Sequence, residues 1–255
     1  NNVPYVAYQK NAARANVYKY NGSSWVKVGN GNFSAGITED ISMDIDNNNI
    51  PYIAYRDYAN SSRATVMKYD GGNSWITVGT AGFSMGAIQY ASLAINNSGT
   101  PYIAFQDNAN SDKVTVMKFD GTSWVDVGVT GFSVSEAEYI SLAIDNNDIP
   151  YVGFQDVRSP NCGNCAYKAT VMKFDGNTWI DVGNAEFSNG NAMFISLAIN
   201  DNGIPYVAYK DGWPNGDKAT VMKFDGNTWM SVGNPAFSPY QVERTTLAIN
   251  NSGVP

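Results

Sequence analysis

An all-β fold of five similar four-stranded units is what the sequence predicts, and three observations predict it. The 255-residue chain repeats itself: Pro4, Pro51, Pro101, Pro150, Pro205 and Pro255 recur at spacings of 47, 50, 49, 55 and 50, the first five each followed by Tyr. Tryptophan keeps the same period at Trp25, Trp75, Trp124, Trp179 and Trp229, and KATVMKFDGNTW at 168–179 returns unchanged at 218–229. No segment carries a helical period, whereas ISLAID at 140–145 alternates Ile, Leu and Ile with Ser, Ala and Asp.

Each repeat contains four short runs rich in β-branched and aromatic residues, seen late in the chain as FISLAIN, IPYVAYK, KATVMKF and TWMSVG. Between the first and second runs lie NNSG or DNGI; between the third and fourth lie FDGNTW or YDGGNSW. In both places Asp, Asn and Gly supply the backbone angles a tight hairpin demands. One twisted four-stranded sheet cannot bury both its faces, but neighbouring sheets can bury them for one another. A period near 50 residues therefore predicts a five-bladed β-propeller of four-stranded antiparallel blades, a single domain over 1–255. The chain starts on a second strand, VPYVAYQ at 3–9, and finishes on a first strand, TTLAIN at 245–250. The first blade is thus expected to be closed by the C-terminal strand, which would hide two sheet edges; the same pairing made between two chains stays open.

Composition narrows the function. Apolar residues make up 44% of the chain, enough for a core, and charged residues only 15%. With 16 basic against 23 acidic residues and no basic cluster, nucleic acid is not an expected partner, and no apolar run reaches the length of a membrane span. Histidine is absent, which removes the commonest general base and zinc ligand. No cofactor is expected. Residue 1 already lies inside a repeat, so the chain reads as a mature domain or a fragment, any signal peptide having been removed or left out. The charge-poor surface rich in Asn, Gly, Ser, Thr and Tyr suits an extracellular or cell-surface protein.

Through the segments PYxAxxD, ATVMKFDG and WxxVGxxxFS, the whole chain resembles the tandem propeller repeats of large secreted and surface-attached bacterial proteins. The five-bladed plan also resembles the tachylectin-type lectins. That likeness is architectural, since their local motifs are not visible here; it implies sugars held in one site per blade.

Strand direction puts the short hairpins on one face of the disc and the second-to-third loops, with the blade-to-blade crossovers, on the other. The second set varies, from KNAAR to DVRSPNCGNCAYK and DGWPNGDK, and variable loops on a rigid scaffold are where binding concentrates. Strand two ends in Asp57, Asp107, Asp156 and Asp211, with Lys10 in the first repeat; each carboxylate reads as a loop cap or as an acceptor for sugar hydroxyls. Three residues before the recurring Ser or Thr of strand one stand Glu39, Gln89, Glu138, Met193 and Glu243, which read as solvated loop positions or as a group that binds a ligand or cation. Trp213, outside the repeat, reads as a sugar-stacking or partner-anchoring residue that flanks one groove with the loop of Arg158, itself a ligand-binding candidate, or as packing against that loop. Cys162 and Cys165, the only cysteines, predict a local disulfide that pins that loop, and no metal site is expected from them. DIDNNN at 44–49 has oxygen-rich spacing, but its counterparts lose the first acid and a hairpin turn explains all copies. The recurring Phe33, Phe83, Phe132, Phe187 and Phe237 read chiefly as plugs between blades.

Faithful repetition suits binding or architecture better than hydrolysis, which needs carboxylates converging once; Glu136 and Glu138 break the repeat but have no evident partner. The expected function is non-catalytic binding of a glycan or a cell-surface protein through the variable-loop face. The alternatives are a spacer or assembly unit beside other domains of a longer chain, and a glycoside hydrolase.

Overall fold

A computed structural model describes residues 3–10, 14–157, 167–250 and 252–255. The five repeats form five antiparallel sheets in chain order, the blades of an all-β, five-bladed propeller. The first has three strands: β1 Tyr5–Lys10, β2 Arg14–Tyr20 and β3 Trp25–Lys27. The second holds β4 Thr38–Ile45, β5 Pro51–Asp57, β6 Arg63–Tyr69 and β7 Trp75–Thr77; the third, β8 Ile88–Ile95, β9 Pro101–Asp107, β10 Lys113–Phe119 and β11 Trp124–Asp126. The fourth holds β12 Glu136–Ile144, β13 Pro150–Val157, β14 Lys168–Phe174 and β15 Trp179–Asp181; the fifth, β16 Ala192–Ile199, β17 Pro205–Asp211, β18 Lys218–Phe224 and β19 Trp229–Ser231. By compactness the chain divides into two units, one of Asn1–Ala109 with Met117–Asp126, the other of Asn110–Val116 with Val127–Pro255.

The turn chemistry matches the residues that predicted it. Asp120 accepts the amides of Thr122 and Ser123 through Oδ1 while Gly121 takes φ 101°, a value that favours glycine. In the first-to-second hairpin, Asp46 Oδ1 accepts the amides of Asn48 and Ile50, and Asn96, Asp145, Asn200 and Asn250 fill the same place in their own turns. DIDNNN is therefore a hairpin turn.

Within each unit the seams between sheets are built alike. Phe33 stacks on Trp75 and Phe83 on Trp124 in the first unit, as Phe132 does on Trp179 and Phe187 on Trp229 in the second, with centroids 4.2–4.4 Å apart. Each Trp also donates its indole N–H backwards, to the carbonyls of Val28, Val78, Val127 and Val182 at 2.7–3.0 Å. The recurring aromatics thus fill seams, and a large flat side chain is used because it buries much area with one polar handle satisfied. The exceptions are Trp25, 50% exposed, and Phe237, 56% exposed.

The first sheet has three strands among the described residues, and residues 245–250, expected as the strand that closes it, are not in strand conformation. They lie instead along β16: the Thr245 hydroxyl donates to the Phe194 carbonyl and the Leu247 amide to Ser196 Oγ at 3.0 Å. Leu93 on Ser42 and Leu197 on Ser141 make the same contact at 2.9 Å from within true strands. The segment therefore docks as a first strand docks on the preceding sheet. This contact needs no ladder partner.

Candidate functional site

The strand-end carboxylates are turned inward. Asp57, Asp107, Asp156 and Asp211 are all buried, at 1–4% exposure. Asp57 Oδ2 accepts the Thr65 hydroxyl at 2.8 Å and Asn60 Nδ2 at 2.8 Å, while Oδ1 accepts the Ala59 amide at the start of a one-turn 3-10 helix, Tyr58–Asn60. Asp107 caps Ala109 in the same way, and Thr170 and Thr220 bond Asp156 and Asp211 at 2.8 and 2.9 Å. These groups clasp strand three to the loop, and their oxygens do not face solvent. The first sheet, with Lys10 instead of Asp, makes a different clasp: Asn16 replaces the Thr and exchanges hydrogen bonds with Asn32.

The positions before strand one separate into three situations. Glu39 Oε2 pairs with Arg56 at 3.3 Å and accepts the Tyr58 hydroxyl at 2.7 Å, and Gln89 Nε2 donates to Gln106 Oε1 at 2.9 Å. Glu243 is exposed near the C-terminus. Glu138 and Met193, in the second unit, line one cavity together. Among the described residues no group of three or more Cys, Asp or Glu is placed to hold a metal.

That cavity, of about 220 Å³, is lined by Glu138, Tyr139, Gln155, Tyr167, Asn191 and Met193. Register shifts of a kind that recurs in every four-stranded sheet border it. The β12 ladder on β13 breaks between Glu138 and Ser141 and the β16 ladder on β17 between Met193 and Ser196, with Tyr139 at φ 50° and Phe194 at φ 53°. Bulges re-aim side chains and locally open pairing. Left-handed backbone is costly for an aromatic residue and is kept where surrounding packing imposes it; here the two rings meet at 4.6 Å. Tyr167 closes the longest variable loop, also at positive φ (75°), and its carbonyl accepts the Ala192 amide at 2.7 Å. Gln155, buried in the floor, donates to the Ala192 carbonyl at 2.5 Å.

Half-burial pushes the Glu138 carboxyl above its ordinary range, and the neighbouring Glu136 charge pushes the same way. Burial likewise raises the Tyr139 phenol, with Glu138 adding to it. The cavity thus offers one carboxylate, two phenols and two amides around apolar ring surface, a mixture of acceptors and donors suited to a polyhydroxylated ligand.

The loop that displays Trp213 begins at the rim. A β-carbon on Gly212 would lie 3.1 Å from Asn191 Cβ and 3.3 Å from Met193 Cε, and the Gly212 amide donates to the Asn191 carbonyl at 2.7 Å. Trp213 itself is 82% exposed. Arg158, Cys162 and Cys165, and with them the expected disulfide, lie outside the described residues. Of the cavity lining, Glu138 was a candidate from the sequence, whereas Tyr139, Gln155, Tyr167 and Asn191 were not. The available signal was Tyr167, the aromatic that ends the longest loop.

No family model and no curated protein matches the chain. Solved structures do match. A mutant of Aleuria aurantia lectin in complex with alpha-methyl-L-fucoside is 13% identical with a TM-score of 0.61, over 93% of this chain and 79% of that one. An ulvan lyase from a new family of polysaccharide lyase is 15% identical with a TM-score of 0.55, over 94% and 70%. A Bacteroides thetaiotaomicron endo-1,4-beta-xylanase is 12% identical with a TM-score of 0.51, over 97% and 94%. At such identities the likeness is one of fold, and what it shows is the all-β propeller architecture described above.

Proposed function

We propose that this protein is a non-catalytic carbohydrate-binding module, working outside the cell or at its surface, that takes a glycan at the cavity between β12 and β16. The observation that carries this reading is the convergence of Glu138, Tyr139, Tyr167 and Asn191 on one opening whose rim starts the Trp213 loop. Aromatic faces cover the apolar side of a sugar ring while carboxylate and amide groups take its hydroxyls. Solved structures of similar fold include a lectin and glycan-degrading enzymes, which supports a carbohydrate ligand without choosing between binding and cleavage. Binding is favoured by the lining, in which Glu138 is the one carboxylate among the described residues, whereas glycoside hydrolysis uses a pair flanking the bond.

A glycan array tests this directly, with hits expected for wild-type protein. For the best hit, Trp213→Ala and Tyr167→Ala should each weaken binding by about 1–3 kcal/mol, the range for truncating an anchor residue, and leave Tm nearly unchanged. An array without hits, or affinity indifferent to both changes, overturns the site. Release of aryl aglycones from a panel of glycosides by pure protein would replace the module with a hydrolase.

A further inference from the structure

The strand-end aspartates show a break in the repeat that none of the contacts above explains. In three sheets the Oδ1 atom has a donor: the Ala59 amide for Asp57, the Ala109 amide for Asp107, the Ser135 hydroxyl for Asp156 at 3.3 Å. In the fifth, Asp211 Oδ1 is buried and finds no hydrogen-bond donor among the described residues, although Oδ2 keeps its Thr220 bond. An acceptor left bare in a protein interior costs about 1–3 kcal/mol, and more when charged.

The cause is the loop. Where the second and third repeats turn into a 3-10 helix, the fifth has Gly212, Trp213, Pro214 and Asn215. In the earlier repeats a glycine opposite the loop, Gly36 or Gly86, faces the methyl of Ala59 or Ala109. The equivalent Gly190 faces oxygen: a β-carbon there would stand 2.3 Å from Asp211 Oδ1 and 3.1 Å from the carbonyl oxygens of both Gly212 and Trp213. Of these, the Gly212 carbonyl accepts the Asn215 amide. The nearby Lys168 ammonium is engaged by the Asn189 carbonyl.

We propose that Asp211 Oδ1 and the Gly212 and Trp213 carbonyls form a calcium site in the fifth blade. Three acceptors, one of them on a carboxylate, gather beside Gly190, and the carboxylate oxygen has no donor among the described residues. A hard cation takes carboxylate and carbonyl oxygens together as ligands, including a carbonyl that already accepts one hydrogen bond, because each carbonyl oxygen keeps a second lone pair. One carboxylate is a low charge count, which sets the affinity in the weak range of extracellular modules, about 10⁻⁴ to 10⁻³ M. Both carbonyls belong to the loop that displays Trp213, so the ion ties that loop to strand β17. The site stands whether or not the cavity binds a glycan.

The test needs no glycan. Chelator-stripped protein is titrated with calcium chloride while Tm is recorded; Tm should rise and saturate over the millimolar range, with a smaller effect of magnesium, which dehydrates reluctantly. Asp211→Asn should abolish the response without lowering Tm in chelator, because its amide can donate to the two carbonyls and its oxygen still accepts from Thr220. Terbium, standing in for calcium, should emit on tryptophan excitation and be displaced by calcium. Trp213→Phe should weaken that emission and leave the calcium effect on Tm in place. A wild-type Tm indifferent to calcium, or a response that survives Asp211→Asn, overturns the proposal.

Discussion

Burial pushes the Asp156 carboxyl up to about 6, partly opposed by the hydroxyls of Thr170 and Ser135. A carboxyl whose folded pKa stands above its unfolded one binds more protons in the folded state, so stability falls as pH rises through the window from about 4 to 6. Near neutral pH the penalty is about 2–3 kcal/mol, from the pKa shift converted at 1.36 kcal/mol per unit. Asp156→Asn should flatten the dependence of denaturant stability on pH across that window, and an unchanged slope would exclude Asp156 as its source. Tryptophan offers a second contrast. Trp75→Ala removes a buried ring, its stack on Phe33 and its bond to Val28, and should cost about 3–5 kcal/mol in urea unfolding. Trp25→Ala, at a half-exposed ring, should cost clearly less. Both residues fill the same place in the repeat and look equal in the sequence; the difference lies in what packs against them, which no single-residue signal carries.

At the level of strands and turns, the elements that repeat were legible because Asp, Gly and the alternation of apolar residues announce them. The bulges were not. Tyr90, Tyr139 and Phe194 occupy left-handed backbone without glycine to mark it, and Ser61, Ser62, Ser111 and Asp112 do so after the 3-10 turns. Such conformations are imposed by packing and leave no local trace. Two of the bulges border the cavity, and Tyr139 reaches its lining from such a position, which could not be read in advance. The clasp between strands two and three can be weighed directly. Thr65 donates to Asp57 and accepts the Gly82 amide at 2.9 Å, so Thr65→Val leaves a buried carboxylate oxygen and a backbone amide short of a partner. A loss of about 1–3 kcal/mol is expected by chemical denaturation. Asn16→Ala in the first sheet, where no carboxylate is left behind, should cost less.

For the molecule as a whole, the repeat count and the all-β class followed from periodicity alone, because a four-stranded sheet has two faces to bury and identical neighbours can bury them. The conformation of residues 245–250 did not follow: they form no strand and are held to β16 through Thr245 and Leu247. Deleting residues 243–255 should therefore uncover β16, lower Tm and promote association, measured by scanning calorimetry and light scattering; a truncated chain that keeps its Tm and stays monomeric would show that this docking contributes nothing. The seams carry a different implication. Every one of the four is made by a crossover Phe from one repeat and a Trp from the next, with the same indole bond backwards. The joint does not record which repeats it joins, so a copy gained or lost by slippage between identical stretches such as 168–179 and 218–229 would meet ready-made partners on both sides. Blade number is then a heritable variable of this chain, open to change in one genetic step without any new contact having to evolve.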